Sequence, residues 1–206
     1  CSKLIICLRR VRSSQEAFNF CDMKSKLLTD RIYTLEKVLS DLEFDQVVDE
    51  FVYNRWVFNK KELHESDFYP FRGTLEKNNY DLKSLGDNHV FIDIGSKFKY
   101  KVSKLLHRDV ELIRINTNIQ FFGHDSSFHK DADIGSWTLV VFCNYEWDSS
   151  WGGEFVVKNL EKEYSYVAFI PNNGVLIPGW LDHTGMAPNR LTNQPRLSLA
   201  FTYQEV

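Results

Sequence analysis

The stretch Trp137-Thr138-Leu139-Val140-Val141-Phe142-Cys143-Asn144-Tyr145 decides the fold class. It is apolar, rich in β-branched and aromatic residues, and closed by a polar turn, which reads as a buried strand. Segments of the same kind recur at 112–122, 154–158, 164–170, 174–177 and 196–203, separated by clusters of Gly, Asn, Asp, Ser or Pro.

Upstream of them the rhythm is helical. Ser40 and Glu43 have the spacing of a capping box, and Leu39 can staple onto Phe44 across the helix start. Phe44, Val47, Val48 and Phe51 then recur at i, i+3, i+4 and i+7, the stripe of a helix lying on a core. A second helical pattern passes through Phe91, Ile94, Phe98, Val102 and Leu105, with Gly95 as a weak point in it. Residues 1–30 show no clean pattern, and 60–88 are polar and turn-rich. The expectation is α+β: a segment 1–30 of unclear structure, then one domain over 31–206. Within that domain 31–110 gives helical support and 111–206 a core of about six to eight strands, a sandwich or barrel with the helices on one face.

Composition narrows the function classes. The chain has 206 residues, 43% of them apolar, so it has the material for a real core and is not a disordered segment. Its 25 basic and 28 acidic residues leave a net charge of −3, which weakly disfavours a long-range hold on nucleic acid and leaves room only for a local basic patch. Cys1, Cys7, Cys21 and Cys143 show no paired spacing, so neither a disulfide framework nor a zinc knot is suggested. No apolar run reaches the length of a membrane span. A cytoplasmic or otherwise soluble intracellular protein is expected, although the sequence opens without Met and leaves room for an upstream targeting segment.

The chemistry is concentrated in the strand region. In Phe128-His129-Lys130-Asp131, strand alternation would project His129 and Asp131 to one side. His183, in Trp180-Leu181-Asp182-His183-Thr184-Gly185, follows an apolar strand and offers a third donor. Two histidines and one carboxylate with further positions open form the facial triad of non-haem Fe(II) oxygenases. The two-residue spacing alone matches any exposed polar pair in a strand; the later histidine makes the pattern much rarer. Arg196 heads Arg196-Leu197-Ser198-Leu199-Ala200-Phe201 and shares a strand face with Ser198. An arginine turned inward needs an anion. That anion is either a protein carboxylate or a dicarboxylate cosubstrate, gripped bidentately by the guanidinium and supported by the serine hydroxyl.

Together these residues resemble the 2-oxoglutarate- and Fe(II)-dependent dioxygenases. Val141 to Trp147 and Trp151-Gly152-Gly153-Glu154 look like the strand-turn-strand passage of the prolyl-hydroxylase-like branch. The resemblance covers about Glu111 to Tyr203. It implies a double-stranded β-helix, or jelly roll, with iron held by His129, Asp131 and His183 and 2-oxoglutarate by Arg196 and Ser198. Where many relatives have a tyrosine that touches the cosubstrate, this chain has Asn118 and Gln120, which become the candidate contacts. The implied enzyme hydroxylates an unactivated carbon with dioxygen, releases succinate and CO2, and belongs to a class in which ascorbate can assist. The implied substrate is a prolyl residue of a peptide or protein; a free amino acid, a small metabolite, or a non-catalytic cupin-like module are the alternatives. Halogenating relatives lack the carboxylate, so Asp131 argues against that subtype.

Several residues read more simply. His124 lies in a Gly- and Ser-rich loop, and Arg190 in a Pro- and Asn-rich one, where it rivals Arg196 as an anion ligand. Glu154 after two glycines suits a turn. Lys97, Lys99, Lys101, Lys104 and Arg108 spread around a helix, and Trp137, Trp147, Trp151 and Trp180 suit packing. His64, His89 and His107 have no partner spacing.

Overall fold

The computed structural model describes residues 25–29, 31–53 and 89–206. The expectations for residues 1–24 and 60–88, with His64, Cys1, Cys7 and Cys21, lie outside the described residues. The elements in chain order are β1 (Ser25–Thr29), β2 (Ile32–Leu35), α1 (Asp41–Tyr53), α2 (Val90–Leu106), β3 (Val110–Gln120), β4 (Ser136–Phe142), β5 (Phe155–Lys158), β6 (Tyr164–Val167), β7 (Gly174–Pro178), β8 (His183–Gly185) and β9 (Arg196–Glu205). All pairing is antiparallel. One sheet runs β1-β2-β7-β4-β9-β3 and the other β6-β5-β8.

The helices begin where the sequence signals them. The Ser40 backbone N–H donates to Glu43 Oε2 at 3.0 Å, and the Glu43 N–H donates back to Ser40 Oγ at 3.4 Å, closing the capping box ahead of α1. Phe44, Val47, Val48 and Phe51 are all buried. His89 caps α2 by accepting the Phe91 N–H on its Nδ1 at 3.2 Å, and His107 ends it in a left-handed conformation.

Two expectations change. Residues 32–35 were expected within the helical support, but they form β2, which joins the larger sheet with Tyr33 opposite Leu176 and Leu35 opposite Gly174. Four residues are too few to display a period, so their partner decides. Gly95 is not a weak point but a contact point. A Cβ there would stand 2.6 Å from Leu112 Cδ2 and 3.0 Å from Phe201 Cδ1, and its carbonyl accepts the Tyr203 hydroxyl at 2.9 Å. The missing side chain lets the helix approach the sheet.

The larger sheet is covered on both faces. On one, Ile115, Leu139, Val141, Leu176, Leu199 and Phe201 pack beneath α1 and α2. On the other, Val140, Phe142, Val175, Ile177 and Ala200 pack against Phe155 and Val157 of the smaller sheet. Covering both faces is why β4 and β7 read as unbroken apolar runs rather than alternating ones. Each large side chain so buried contributes about 1.5–3 kcal/mol.

One irregularity matters for function. Leu112 pairs with Tyr203, but Arg114 pairs with Thr202, so Ile113 is an extra residue in β3. A bulge of this kind reverses which residues face inward. Before it, Leu112 lies on the helix side; after it, Arg114, Asn116, Asn118 and Gln120 fall on the face they share with Thr202, Ala200, Ser198 and Arg196.

Candidate active site

His129, Asp131 and His183 come together, with one donor atom from each lying within 4.8 Å of the others. The means differs from the strand expected for 128–131. His129 is an isolated bridge residue that exchanges both backbone hydrogen bonds with His183, at 3.0 and 2.9 Å. Asp131 and Ala132 then donate their backbone N–H groups to the Gly179 carbonyl, which seats the carboxylate between the two rings.

The histidines are oriented for ligation. His129 Nδ1 lies 3.0 Å from the Ser127 carbonyl and His183 Nδ1 lies 2.8 Å from the Leu181 carbonyl. A carbonyl only accepts, so each Nδ1 carries the proton and each Nε2 presents a lone pair. His183 Nε2 stands 3.3 Å from Asp131 Oδ2, and His129 Nε2 stands 3.9 Å from Oδ1. His183 is buried and stacked on Phe155, whereas His129 is half-exposed, so the cluster opens to solvent on the His129 side. Burial alone would raise the Asp131 pKa. Its neighbours His183, Arg114 and His129 outweigh it and hold the carboxyl well below the usual range. The donor set, two neutral imidazoles and an ionised carboxylate, fits a divalent transition metal.

Arg196 and Ser198 lie buried on the inward face of β9. The guanidinium Nε donates to the Gly153 carbonyl at 2.8 Å, and Nη1 donates to Gln120 Oε1 at 2.9 Å and to Ser198 Oγ at 3.1 Å. Phe169 and Phe142 lie against the group at 4.9 and 5.6 Å, and a Cβ on Gly185 would sit 3.0 Å from Nη1. Nη2 is buried and has no hydrogen-bond partner among the described residues. Burial lowers the pKa to about 10, so the group is still cationic at neutral pH. An unpaired buried N–H on a cation fits an anionic ligand. With both Nη1 hydrogens taken, what is offered to a carboxylate is Nη2 and the Ser198 hydroxyl, rather than the two-pronged edge expected from the sequence.

Asn118 stands opposite Ser198 in the β3–β9 pairing, half-buried. Gln120 stands opposite Arg196 and is committed to protein contacts. Its Oε1 accepts from Arg196, which fixes the amide orientation, and its Nε2 donates to Gly185 O, Ser126 Oγ and His124 O at 2.9, 3.1 and 3.3 Å. In this arrangement Gln120 holds the arginine rather than reaching toward a ligand.

The sequence reading overlooked Arg114. Its Nη2 donates to Asp131 Oδ1 at 2.9 Å, beside the metal-type cluster. A signal was present: the apolar phase slips by one residue between Val110/Leu112 and Ile115/Ile119, as a bulge would make it. Arg190 is exposed. His124 is buried with its ring edge-on to Phe121. Trp147 packs on Phe169 and donates to the Gly152 carbonyl at 2.8 Å. Lys97, Lys99 and Arg108 pair with Glu43, Glu111 and Glu205, which breaks up the basic run. Cys143 is a free, buried thiol whose pKa burial pushes far up. No helix among the described residues is long and apolar enough to cross a membrane.

No family model matches the sequence, and no curated protein matches it. Solved structures do match. A prolyl hydroxylase from Trichoplax adhaerens, in complex with a peptide fragment of the hypoxia inducible factor oxygen degradation domain, superposes with a TM-score of 0.62 at 15% identity, covering 86% of this chain and 84% of its own. A prolyl-4-hydroxylase from Pseudomonas putida gives 0.60 at 12%, covering 85% and 93%. The non-haem α-ketoglutarate-dependent epimerase SnoN of nogalamycin biosynthesis gives 0.61 at 14%, covering 85% and 78%. The chain has the fold shared by prolyl hydroxylases and other 2-oxoglutarate/Fe(II) oxygenases. One fold here carries different reactions, so the reaction must be argued from the site.

Proposed function

We propose that this protein is a 2-oxoglutarate- and Fe(II)-dependent dioxygenase of the prolyl-hydroxylase-like branch, with a double-stranded β-helix core. It hydroxylates an unactivated carbon of a peptide or protein substrate. The observation that carries this reading is the convergence of His129, Asp131 and His183 with both Nε2 lone pairs free for a metal. The unpaired Nη2 of Arg196 supplies the place for the far carboxylate of the cosubstrate.

In this reading the chain's residues divide the labour. His129, Asp131 and His183 hold the metal, and the Ser127 and Leu181 carbonyls fix the histidine tautomers. Arg196 Nη2 and the Ser198 hydroxyl bind the cosubstrate. Gln120 and the Gly153 carbonyl hold the guanidinium still, so little ordering is left for the moment of binding. Phe142, Phe155 and Phe169 keep water from the interior. Iron held there would let dioxygen act as the oxidant, one oxygen atom entering succinate as 2-oxoglutarate loses CO2 and the other entering the hydroxyl of the product.

A second reading keeps the chemistry and changes the substrate to a free amino acid or small metabolite; the second guanidinium beside Asp131 favours it. The test is succinate release from anaerobically Fe(II)-loaded protein given 2-oxoglutarate, oxygen and ascorbate, with panels of proline peptides and free amino acids. Substrate-stimulated succinate supports the proposal. No succinate above that of an Asp131→Ala control, with any member of either panel, overturns it.

A further inference from the structure

The inward face of β3 carries a second cation, Arg114, which has no task in holding the metal or the cosubstrate. Along that face Gln120 meets Arg196 at one end, and Arg114 meets Asp131 at the other. Asn118 and Asn116 lie between them. A cosubstrate that joins Arg196 to the metal therefore lies on the Gln120 side of Asp131. Arg114 lies on the opposite side, where the substrate is left to bind.

That end of the face holds unsatisfied polar atoms. Arg114 Nε, Asn116 Oδ1 and Thr138 Oγ1 are buried and find no hydrogen-bond partner among the described residues. Arg114 and Thr138 flank Thr202 in register, one strand to either side. Buried donors and acceptors left open are costly, and such groups call for an explanation. The Ile113 bulge is what turns Arg114 into this interior, and bulges next to active sites characteristically re-aim a side chain.

Charge identifies the ligand class. A divalent metal, the Asp131 carboxylate, the doubly negative cosubstrate and Arg196 sum to zero. Arg114 adds one positive charge, and among the described residues its ion-pair partner is Asp131, which it must share with the metal. Glu154 acts electrostatically at the Arg196 end, not at this one. A partly buried excess cation is stabilised by an anion within reach, and the Arg114 side chain, 29% exposed, reaches solvent. We propose that Arg114 and Asn116 form a substrate subsite for a carboxylate with a neighbouring N–H donor, as in an N-acylated amino acid or the C-terminal residue of a peptide. The carboxylate meets the Arg114 guanidinium and the N–H donates to Asn116 Oδ1.

This rests on the dioxygenase reading, and the experiment separates the two. Protein loaded with Co(II) and 2-oxoglutarate is titrated with N-acetyl-L-leucine and N-acetyl-L-leucinamide, and with the same acid–amide pairs of glutamine and alanine, each of which carries the N–H. Binding is followed by calorimetry and by the cobalt absorption. At least one acid should bind about tenfold or more tighter than its amide, about 1.4 kcal/mol. Arg114→Gln should remove that preference while the amide binds as before. Asn116→Leu should weaken acid and amide alike. Acids and amides binding equally across the panel, no acid binding at all, or a preference that survives Arg114→Gln, each overturns the subsite. If the parent protein fails to take up 2-oxoglutarate, the dioxygenase reading has failed first.

Discussion

His129 and His183 pair with each other through their own backbones, His129 N–H to His183 carbonyl at 3.0 Å and the reverse at 2.9 Å. The pair proposed as metal ligands is therefore built into the chain's hydrogen bonding, with ring centroids 4.6 Å apart. Asp131→Ala should weaken Co(II) or Mn(II) binding at least about 100-fold while leaving this backbone pair and the far-ultraviolet circular dichroism intact. Removing metal from the parent protein should change thermal stability by far less than global unfolding, because the site is preformed. Apo protein that has lost its near-ultraviolet signal would contradict both statements.

Arg196→Ala should lose a charge-assisted hydrogen bond to the cosubstrate, about 1.5–3 kcal/mol, or about ten- to a hundredfold in 2-oxoglutarate affinity. Metal affinity should stay near the parent's, and the exposed Arg190 should tolerate alanine with no effect. Titration of metal-loaded protein with 2-oxoglutarate measures all three. Arg190→Ala producing the loss instead would move the assignment to that loop.

Gln120→Leu removes one acceptor from Arg196 Nη1 and three donated bonds at once. Leaving Gly185 O and one of the two Nη1 hydrogens unsatisfied should cost about 1–3 kcal/mol of stability. It should also weaken 2-oxoglutarate binding, since the guanidinium is released. Chemical denaturation and calorimetry together decide; a variant less stable but with unchanged cosubstrate affinity would confine Gln120 to a structural role.

Gly95→Ala improves helix propensity by about 1 kcal/mol in isolation. The new methyl meets the end of Leu112 and the fully buried Phe201 ring. Leu112 can give way more easily than Phe201, so a net loss of about 1 kcal/mol is expected, read as a lower melting temperature. Gly95→Ser should lose more.

The α1 cap sets an acid limit. Burial would raise the Glu43 pKa, but its hydrogen bonds to Lys97 and Ser40 and the Lys97 charge bring it below the ordinary value. A carboxyl with a lowered folded-state pKa stabilises the fold above its unfolded pKa, and that contribution is lost as pH falls through the folded one. Stability should therefore drop below the ordinary glutamate range, and Glu43→Gln should flatten that part of the pH profile. Ser40→Ala should cost about 1 kcal/mol at neutral pH.

Local patterns were visible where one element's residues carry the whole signal. The α1 stripe, its capping box and the apolar runs of β3, β4, β7 and β9 needed no partner to be read, because burial of a helix face or a strand imposes its period on the sequence. The donor trio His129, Asp131 and His183 was visible for a related reason: ligating side chains are few, and their chemistry restricts which residue types can serve. Strand alternation alone put Arg196 and Ser198 on one face, and the family resemblance suggested what that face would bind.

What the sequence could not decide was everything set by a neighbour across the sheet. Ile32–Leu35 is a strand because β7 offers an edge, and Gly95 is required because Phe201 approaches it. Gln120 is spent on Arg196, Gly185 and the 124–126 backbone and side chain rather than on a ligand, which only the β3–β9 register fixes. Arg114 turns inward because one extra residue at Ile113 reverses the strand's faces, and its partner Asp131 arrives from a loop held by Gly179. Period and residue type are properties of a single segment and survive in the sequence. Register, close approach and the partner of a buried charge are relations between segments, and only the folded chain brings them into contact.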